Sequence, residues 1–492
     1  MLGGYFPFAN IDTSLVLVGT EVLVGAVVGY ISWRIFYERV MSPLRDVPGP
    51  FLNSITSLVS NIQGALGKNH SYPIELHEKY GPVVRIAPDI VSISDPKDIR
   101  TVLATHDFRK SQIYKDMELV EPNTFSAQDP KLNSERRRQI GPTFTWSAMS
   151  KMESLVYKSG PGALIEKIEQ LIRELGFGKS FKSVLVGHHD VIRWAHETVQ
   201  LCIMYSIFPW LRKLPMVFPK WHESERNLLK FSTNTINERI ELNKNAEKAK
   251  LRQDLLQAYL FATDPHTNIK MTQSQVMTET AVMLIAGTDT SSETLTWAVR
   301  YLMSKKDVLA KLLKEIDAAF PDKSVPIAFQ DAKDKLPYLE AIILETLRIS
   351  PAVPSRLPRD VPPGGAKFGG GDNDGYFLPE GVCVAPHVMA SHYDPKTWPD
   401  PLDFRPERFL GSEAEANKKN NFGFSWGVRI CPGRRLAWIE MMLTLANLFH
   451  KYELSIPKDL EHNYKNMDSV CYLMLSPKNA QNNCRISIKR RE

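Results

Sequence analysis

Cysteine is scarce: five residues in 492, at positions 202, 383, 431, 471 and 484. The number is odd and the spacing wide, which excludes a disulfide framework and points to a reducing compartment. There is no C-x-x-C pair. His77, His196 and His222 each precede a glutamate, but the residues four on are Gly81, Gln200 and Arg226, so no H-E-x-x-H zinc site exists. Gly178-Lys179-Ser180 has Arg173 where a phosphate-cradling loop needs its first glycine. No G-x-S-x-G elbow occurs either, so hydrolase and kinase chemistry lack their parts. Charge of one sign is not in excess: 61 basic against 55 acidic residues gives +6, too weak a balance for a nucleic-acid binder. Internal repeats at periods of 20–50 residues are absent. A 43% hydrophobic and 24% charged composition excludes disordered, collagen-like and many-span membrane chains.

One long apolar run is present, from Leu15 to Trp33, and its single charge is Glu21. A bilayer core of about 30 Å asks for roughly 20 such residues. A cleaved signal peptide would show a basic start, whereas the first basic residue here is Arg34, and no small-residue cleavage site is clear. A buried core helix is the other alternative. Arg34, Arg39 and Arg45 all follow the span, which puts the bulk of the chain in the cytosol. Residues 1–40 are therefore read as a membrane anchor. Residues 41–50, rich in proline, are read as a stiff hinge, and 51–492 as the folded body.

Within that body, residues 83–87 and 90–94 carry strand signals, and the pattern from 131 to 350 is mostly helical. The periodicity predicts one helix from Thr272 to about Ser304, opened by a Thr272/Gln275 capping box. At about 33 residues it would run roughly 50 Å, enough to cross a domain. Residues 351–386 read as short strands and turns, with a glycine-rich hairpin over 364–375. Residues 394–430 read as irregular, followed by a last helix and strand-like pieces.

One cysteine has a chemical context: Phe424-Ser-Trp-Gly427-Val-Arg429-Ile-Cys431-Pro432-Gly433. Cys431 stands just ahead of a helical run, where the helix N-terminus favours a thiolate. Gly427 and Gly433 let the backbone approach something flat and bulky, and Arg429 can pair an anion. Such a thiolate is a metal ligand or a nucleophile; the bland alternative is a buried structural cysteine. A second motif, Ala286-Gly287-Thr288-Asp289-Thr290-Ser291, puts an acid–alcohol pair inside an apolar helix, where burial is expensive. Thr290 there can bond the carbonyl four residues back and loosen the helix. Glu345 and Arg348 share a helix face at i, i+3. Phe404-Arg-Pro406-Glu407-Arg408-Phe409 follows.

The F-x-x-G-x-R-x-C-x-G pattern resembles the haem-binding loop of the cytochrome P450 superfamily, and the other motifs match that family too. The resemblance runs from the anchor to the C-terminal strands. The stretch from His77 to Pro88 looks like fungal microsomal members. It implies a mainly α fold with a small β region, one catalytic domain behind one N-terminal transmembrane helix. It implies haem b with Cys431 as the axial thiolate, pushing electron density toward O–O cleavage. Phe424, Gly427, Arg429 and Gly433 would then bind the cofactor. Arg429, Arg356 and Arg137 are the implied partners of its two propionates. The family usually has Trp or His where this chain has Asn133, which leaves Arg136 and Arg138 open as replacements for Arg137. Asp289 and Thr290 take the proton-relay roles. Glu345, Arg348 and Arg408 form a buried structural triad. Phe125, Met283, Ala286, Val353 and Tyr472 are pocket positions by analogy.

The activity implied is monooxygenation of a lipophilic small molecule, with NADPH electrons delivered by a membrane-bound flavin reductase and with cytochrome b5 as a second donor. The place implied is the endoplasmic reticulum membrane, single-pass, in fungal secondary metabolism. Detoxifying hydroxylation, a dioxygen-independent haem-thiolate isomerase or dehydratase, and a haem sensor are the alternatives. Arg434 and Arg435 offer basic charge for docking the reductase, or serve haem or solvent instead.

Overall fold

The computed structural model describes residues 13–165, 190–214, 216–244, 254–370, 375–466 and 468–491. The Gly178–Ser180 motif and residues 371–374 of the glycine-rich stretch lie outside the described residues. Eleven described helices have nine or more residues: α1 Thr13–Phe36, α2 Ser71–Tyr80, α3 Pro96–Ala104, α4 Pro130–Ile140, α5 Trp146–Ser159, α6 Asp190–Ile207, α7 Pro219–Lys244, α8 Gln273–Ser304, α9 Lys306–Ala319, α10 Pro337–Ile349 and α11 Arg434–Lys451. The strands are short: β1 Val83–Ala87, β2 Ile90–Ile93, β3 Arg109–Lys110, β4 Arg359–Asp360, β5 Ala366–Phe368, β6 Tyr376–Leu378, β7 Cys383–Pro386, β8 Tyr452–Ser455, β9 Ser469–Cys471, β10 Leu475–Pro477 and β11 Ser487–Arg490.

Local chemistry sets the helix starts. Asp95 and Asp129 accept backbone N–H groups ahead of α3 and α4, and each is followed by a proline whose missing N–H costs nothing there. The Thr272/Gln275 capping box closes reciprocally and opens α8. At 32 residues α8 is about 48 Å long. It threads the main core, where Trp297, Leu302, Leu339, Ile342, Met442 and Leu443 of α8, α10 and α11 pack together. The largest sheet has the order β1-β2-β7-β4-β3. Its β1–β2 hairpin is antiparallel, while β2 runs parallel to β7 in the register Val91↔Val384. Val83, Val91, Ile93, Phe368, Val384 and Phe422 form a second core over it. Residues 394–430, read as irregular, hold one seven-residue helix, Ala414–Asn420, with Lys418 3.4 Å from Glu415.

α1 is exposed from Val18 to Trp33 and continues into a π-helical turn, Tyr37–Met41. It is long and apolar enough to cross a membrane by length and composition. The segment after it is no free-standing spacer, contrary to the hinge expected over 41–50. Leu44 and Val47 are buried in the sheet-side core. The Arg85 N–H donates to the Pro48 carbonyl at 2.7 Å. A Cβ on Gly49 would stand 2.4 Å from the Arg85 carbonyl oxygen, so this contact requires glycine. Buried Glu38 pairs with both Arg34 and Arg85. Proline stiffness is real here, but apolar burial and an ion pair dock the segment onto β1.

Candidate active site

The cysteine loop is closed by its own backbone. The Cys431 N–H donates to the Phe424 carbonyl at 2.9 Å, and Ile430 N–H to Gly427 at 3.1 Å. Phe424 sets its ring edge-on to Trp438, 6.4 Å away. Gly427 sits at φ +64° and its absent Cβ would lie 2.1 Å from the Leu103 carbonyl at the end of α3. Its positive φ and the close approach of α3 each require glycine here. Gly433, at φ −77°, is the N-cap of α11, and a Cβ there would meet Cys431 Sγ at 4.0 Å, an ordinary contact. Burial raises the Cys431 thiol above its ordinary value, against the Gly433 and Arg434 N–H groups and the charges of Arg137 and Arg434. The helix terminus alone does not make a thiolate there; a bound metal ion reverses that balance by deprotonating its thiol ligand.

Cations gather beside this loop. Arg137 donates to the Ile430 carbonyl at 2.7 Å. Its neighbours are committed elsewhere: Arg138 forks onto Asp264 at 2.7–3.1 Å, and Arg136 bonds Gln139 at 2.7 Å. Arg429 donates to the Ala127 carbonyl at 3.1 Å, and Arg359 to the Tyr114 hydroxyl at 3.0 Å. Lys110 donates to the Phe125 carbonyl. Lys110, Arg359 and Arg429 are buried, and Arg137 partly so. Burial, then the charges of Arg359 and Arg137, lower Arg429 to about 10. Burial, then Arg359, Arg429 and Arg137, push Lys110 well down. Among the described residues none of the four is ion-paired with a carboxylate. Arg356 has other neighbours. It bridges to His387, lies electrostatically against Cys383, and lines a small cavity with Lys68 and Tyr72. The cation facing Arg429 is Arg359 instead. Sequence reasoning missed Arg359 and Lys110; both stand on two-residue strands, β4 and β3, too short to carry a sequence signal. Asn133, in place of the family's aromatic or imidazole, donates to the Thr124 carbonyl at 2.9 Å. Arg435 donates to the Phe144 carbonyl at 3.0 Å, so its guanidinium turns inward.

Midway along α8 the packing opens. Ala286 and Gly287 are exposed although Ala281 and Ser291 on either side are buried, and nothing lies within 4 Å of where a Gly287 Cβ would be. The Thr290 hydroxyl donates back to the Ala286 carbonyl at 2.7 Å, as its position predicts, while α8 stays α-helical throughout. One residue on, Ser291 donates to Glu440 of α11 at 2.7 Å, tying α8 to the helix behind Cys431. Asp289 is held by a residue the sequence offered only as a failed zinc motif: His196 Nε2, on α6, at 2.9 Å from Asp289 Oδ1. The predicted pocket positions have different immediate neighbours. Ala286 faces the opening. Phe125 packs edge-on to Tyr114, 5.4 Å away, beside Lys110. Met283 packs against the main core, Val353 is half-buried after α10, and Tyr472 lies against Gly67.

Glu345, Arg348 and Arg408 meet below the loop. Glu345 takes Arg348 Nε and Nη2 at 2.7 and 2.8 Å and Arg408 Nε at 3.3 Å. Glu345 also accepts the Arg405 N–H at 2.9 Å. Arg348 and Arg408 spend further protons on the carbonyls of His392 and Asp400. His392 then carries the network upward: Nδ1 donates to the Arg348 carbonyl at 2.8 Å and Nε2 accepts the Phe422 N–H at 2.8 Å. Its ring stacks on Phe422, two residues before the loop starts.

A haem is a flat apolar disc with two carboxylates and an iron that accepts a thiolate. Four crowded cations without a carboxylate, beside an enclosed thiol, fit that group. The chain belongs to the cytochrome P450 family, whose model matches residues 170–483. It is similar to two cytochrome P450 monooxygenases of Aspergillus fumigatus. The one named helB1 is 29% identical, over 99% of this chain and 87% of that protein. The one named helB2 is 32% identical, over 94% and 98%. A crystal structure of a cytochrome P450 shares the fold at a TM-score of 0.69 and 20% identity, covering 85% of this chain and 94% of that one. The protein is accordingly a haem-dependent monooxygenase of a family that uses a cysteine thiolate ligand and needs a reductase for its electrons.

Proposed function

We propose that the chain is a membrane-anchored monooxygenase of the fungal microsomal type. It adds one oxygen atom of O2 to a lipophilic small molecule in secondary metabolism. The observation that carries the site assignment is the enclosed Cys431 beside four uncompensated cations. Cys431 would hold the haem iron, while Arg137, Arg359, Arg429 and Lys110 would hold its carboxylates. Bound there, the haem supplies the dioxygen reduction and oxygen transfer characteristic of the family.

The chain's own residues do the rest. Asp289 and Thr290 border the opening in α8, where a carboxylic acid and an alcohol hold and pass protons. The Thr290 hydroxyl donates to Ala286, so its lone pairs stay free to accept. The apolar α8 stretch around them suits a lipophilic substrate. Glu345, Arg348 and Arg408 keep the cysteine loop rigid from below. α1 places the body on the cytosolic face of the endoplasmic reticulum, beside a membrane-bound NADPH-dependent flavin reductase, with cytochrome b5 as an additional donor. Substrate then enters from the bilayer side.

Expression in microsomes with a reductase, under isotopic O2, tests this. Host lipophilic metabolites should gain one labelled oxygen, read by mass spectrometry, only when NADPH is supplied. Product without label uptake would contradict the reading.

A further inference from the structure

His196 contacts the relay acid from a different helix. Asp289 is 16% exposed and His196 57%. The ring therefore touches the acid at Nε2 while much of it faces solvent. Glu293, one turn along α8, also reaches the ring electrostatically. Glu293 accepts the Ser476 hydroxyl at 2.6 Å, and burial raises its carboxyl. On α6 itself, Arg193 lies 3.1 Å from Asp190 and 3.8 Å from Glu197, and Glu197 accepts Ser224 of α7. From α7, Glu225 stands 3.6 Å from His222. Arg212, in the turn after α6, stands 4.0 Å from Asp116. Those charges are taken up among themselves, and His196 is left to the two α8 carboxylates.

We propose that His196 is the inlet through which Asp289 is reprotonated from solvent, so that proton supply requires α6 to be seated on α8. This rests on the reading of Asp289 and Thr290 as the relay. The overall reaction, RH + O2 + NADPH + H⁺ giving ROH + H2O + NADP⁺, consumes protons as electrons arrive. A solvent hydronium gives a proton to Nδ1 while the Nε2 proton passes to Asp289 Oδ1. One N–H bond forms as another breaks, and the ring ends neutral. Asp289 releases that proton toward Thr290 and is a carboxylate again; a half-turn of the exposed ring brings the protonated nitrogen to Asp289 and the bare one to solvent, which restores the starting arrangement. Hydrogen bonding to Asp289 raises His196 above its ordinary 6.5, so it carries a proton closer to neutrality.

The test uses haem-loaded enzyme in membranes with its reductase. H196A and H196Q are compared with R193A, a control on the same helix. Loss of an acid–base group predicts that the share of NADPH electrons reaching product falls about fivefold or more in both His196 variants, and stays unchanged in R193A. The wild-type pH profile should show an inflection above 6.5 that H196Q lacks. Ring-labelled histidine NMR of resting enzyme should show the same titration, shifted down in D289N. A retained thiolate-type carbon-monoxide Soret band in every variant excludes misfolding. H196Q that keeps wild-type coupling within about twofold, with an unchanged pH profile, overturns the inlet. D289N that uncouples while H196Q does not overturns the inlet alone; D289N coupled like wild type overturns the relay as well.

Discussion

Two buried charge clusters flank the cysteine loop, and they are built on opposite terms. Below it, Glu345 takes two arginines, and the protons left over go to backbone carbonyls. Beside it, Lys110, Arg137, Arg359 and Arg429 repel one another and find only neutral acceptors. Burying a charge is tolerable when a partner and hydrogen bonds compensate it. The first cluster is complete within the chain and is structural. The second has no carboxylate bonded to it among the described residues, which is why we propose it as the site for the haem's carboxylates.

The contrast is sharpest under substitution. Glu345→Ala strands Arg348 and Arg408 without their carboxylate and should cost about 3–5 kcal/mol. Denaturant unfolding measures it; a loss below about 1 kcal/mol would mean water reaches the triad.

Acid should break the first cluster through His392. Its Nε2 must stay unprotonated to accept the Phe422 N–H, and burial lowers it to about 3. The folded chain keeps this ring neutral, whereas the unfolded chain protonates it below its ordinary 6.5. Its contribution is therefore full above pH 6.5 and is lost as pH falls toward about 3. His77, lowered to about 4, and His387, lowered to about 3, act in the same direction. The unfolding midpoint should decline steadily on acidification from 6.5, and the decline should be shallower in a His392→Asn protein.

The second cluster should respond in the opposite sense. Arg429→Gln relieves repulsion between buried cations, so global stability should change by less than about 1 kcal/mol. Haem release to a scavenger should instead quicken about tenfold or more, for loss of a charge-assisted bond worth about 1.5–3 kcal/mol. A variant that unfolds readily yet retains haem would reverse the assignment of the two clusters.

The smallest effects separate the two glycines of the loop. Gly427→Ala meets both a positive φ and the Leu103 carbonyl, and should cost about 1–3 kcal/mol. Gly433→Ala meets neither and should stay within about 0.5 kcal/mol. Thermal melting of the two variants side by side checks this.

The first cluster was legible in the sequence, because i, i+3 spacing and a fixed motif specify its three members. The cysteine and the α8 motif were legible for the same reason. The second cluster was only half legible. Arg429 and Arg137 lie near motif positions, but Arg359 and Lys110 are brought in by pairing of β3 with β4, a contact across 249 positions in the register Lys110↔Arg359. Arg356 was named and Arg359 was not considered, because sequence distance does not say which way a turn faces. His196 was seen in the sequence only as a failed zinc motif, because it meets Asp289 only through packing of α6 on α8. The hinge was misjudged because proline content reports stiffness and says nothing of the burial of Leu44 and Val47.

The central claim is that Cys431, closed in by this loop, is the iron ligand. The carbon-monoxide spectrum of the reduced wild-type protein tests it most directly. The account predicts the red-shifted Soret band of thiolate-ligated haem, lost in Cys431→Ala. The shorter-wavelength band of nitrogen-ligated haem, in folded wild-type protein, would contradict it.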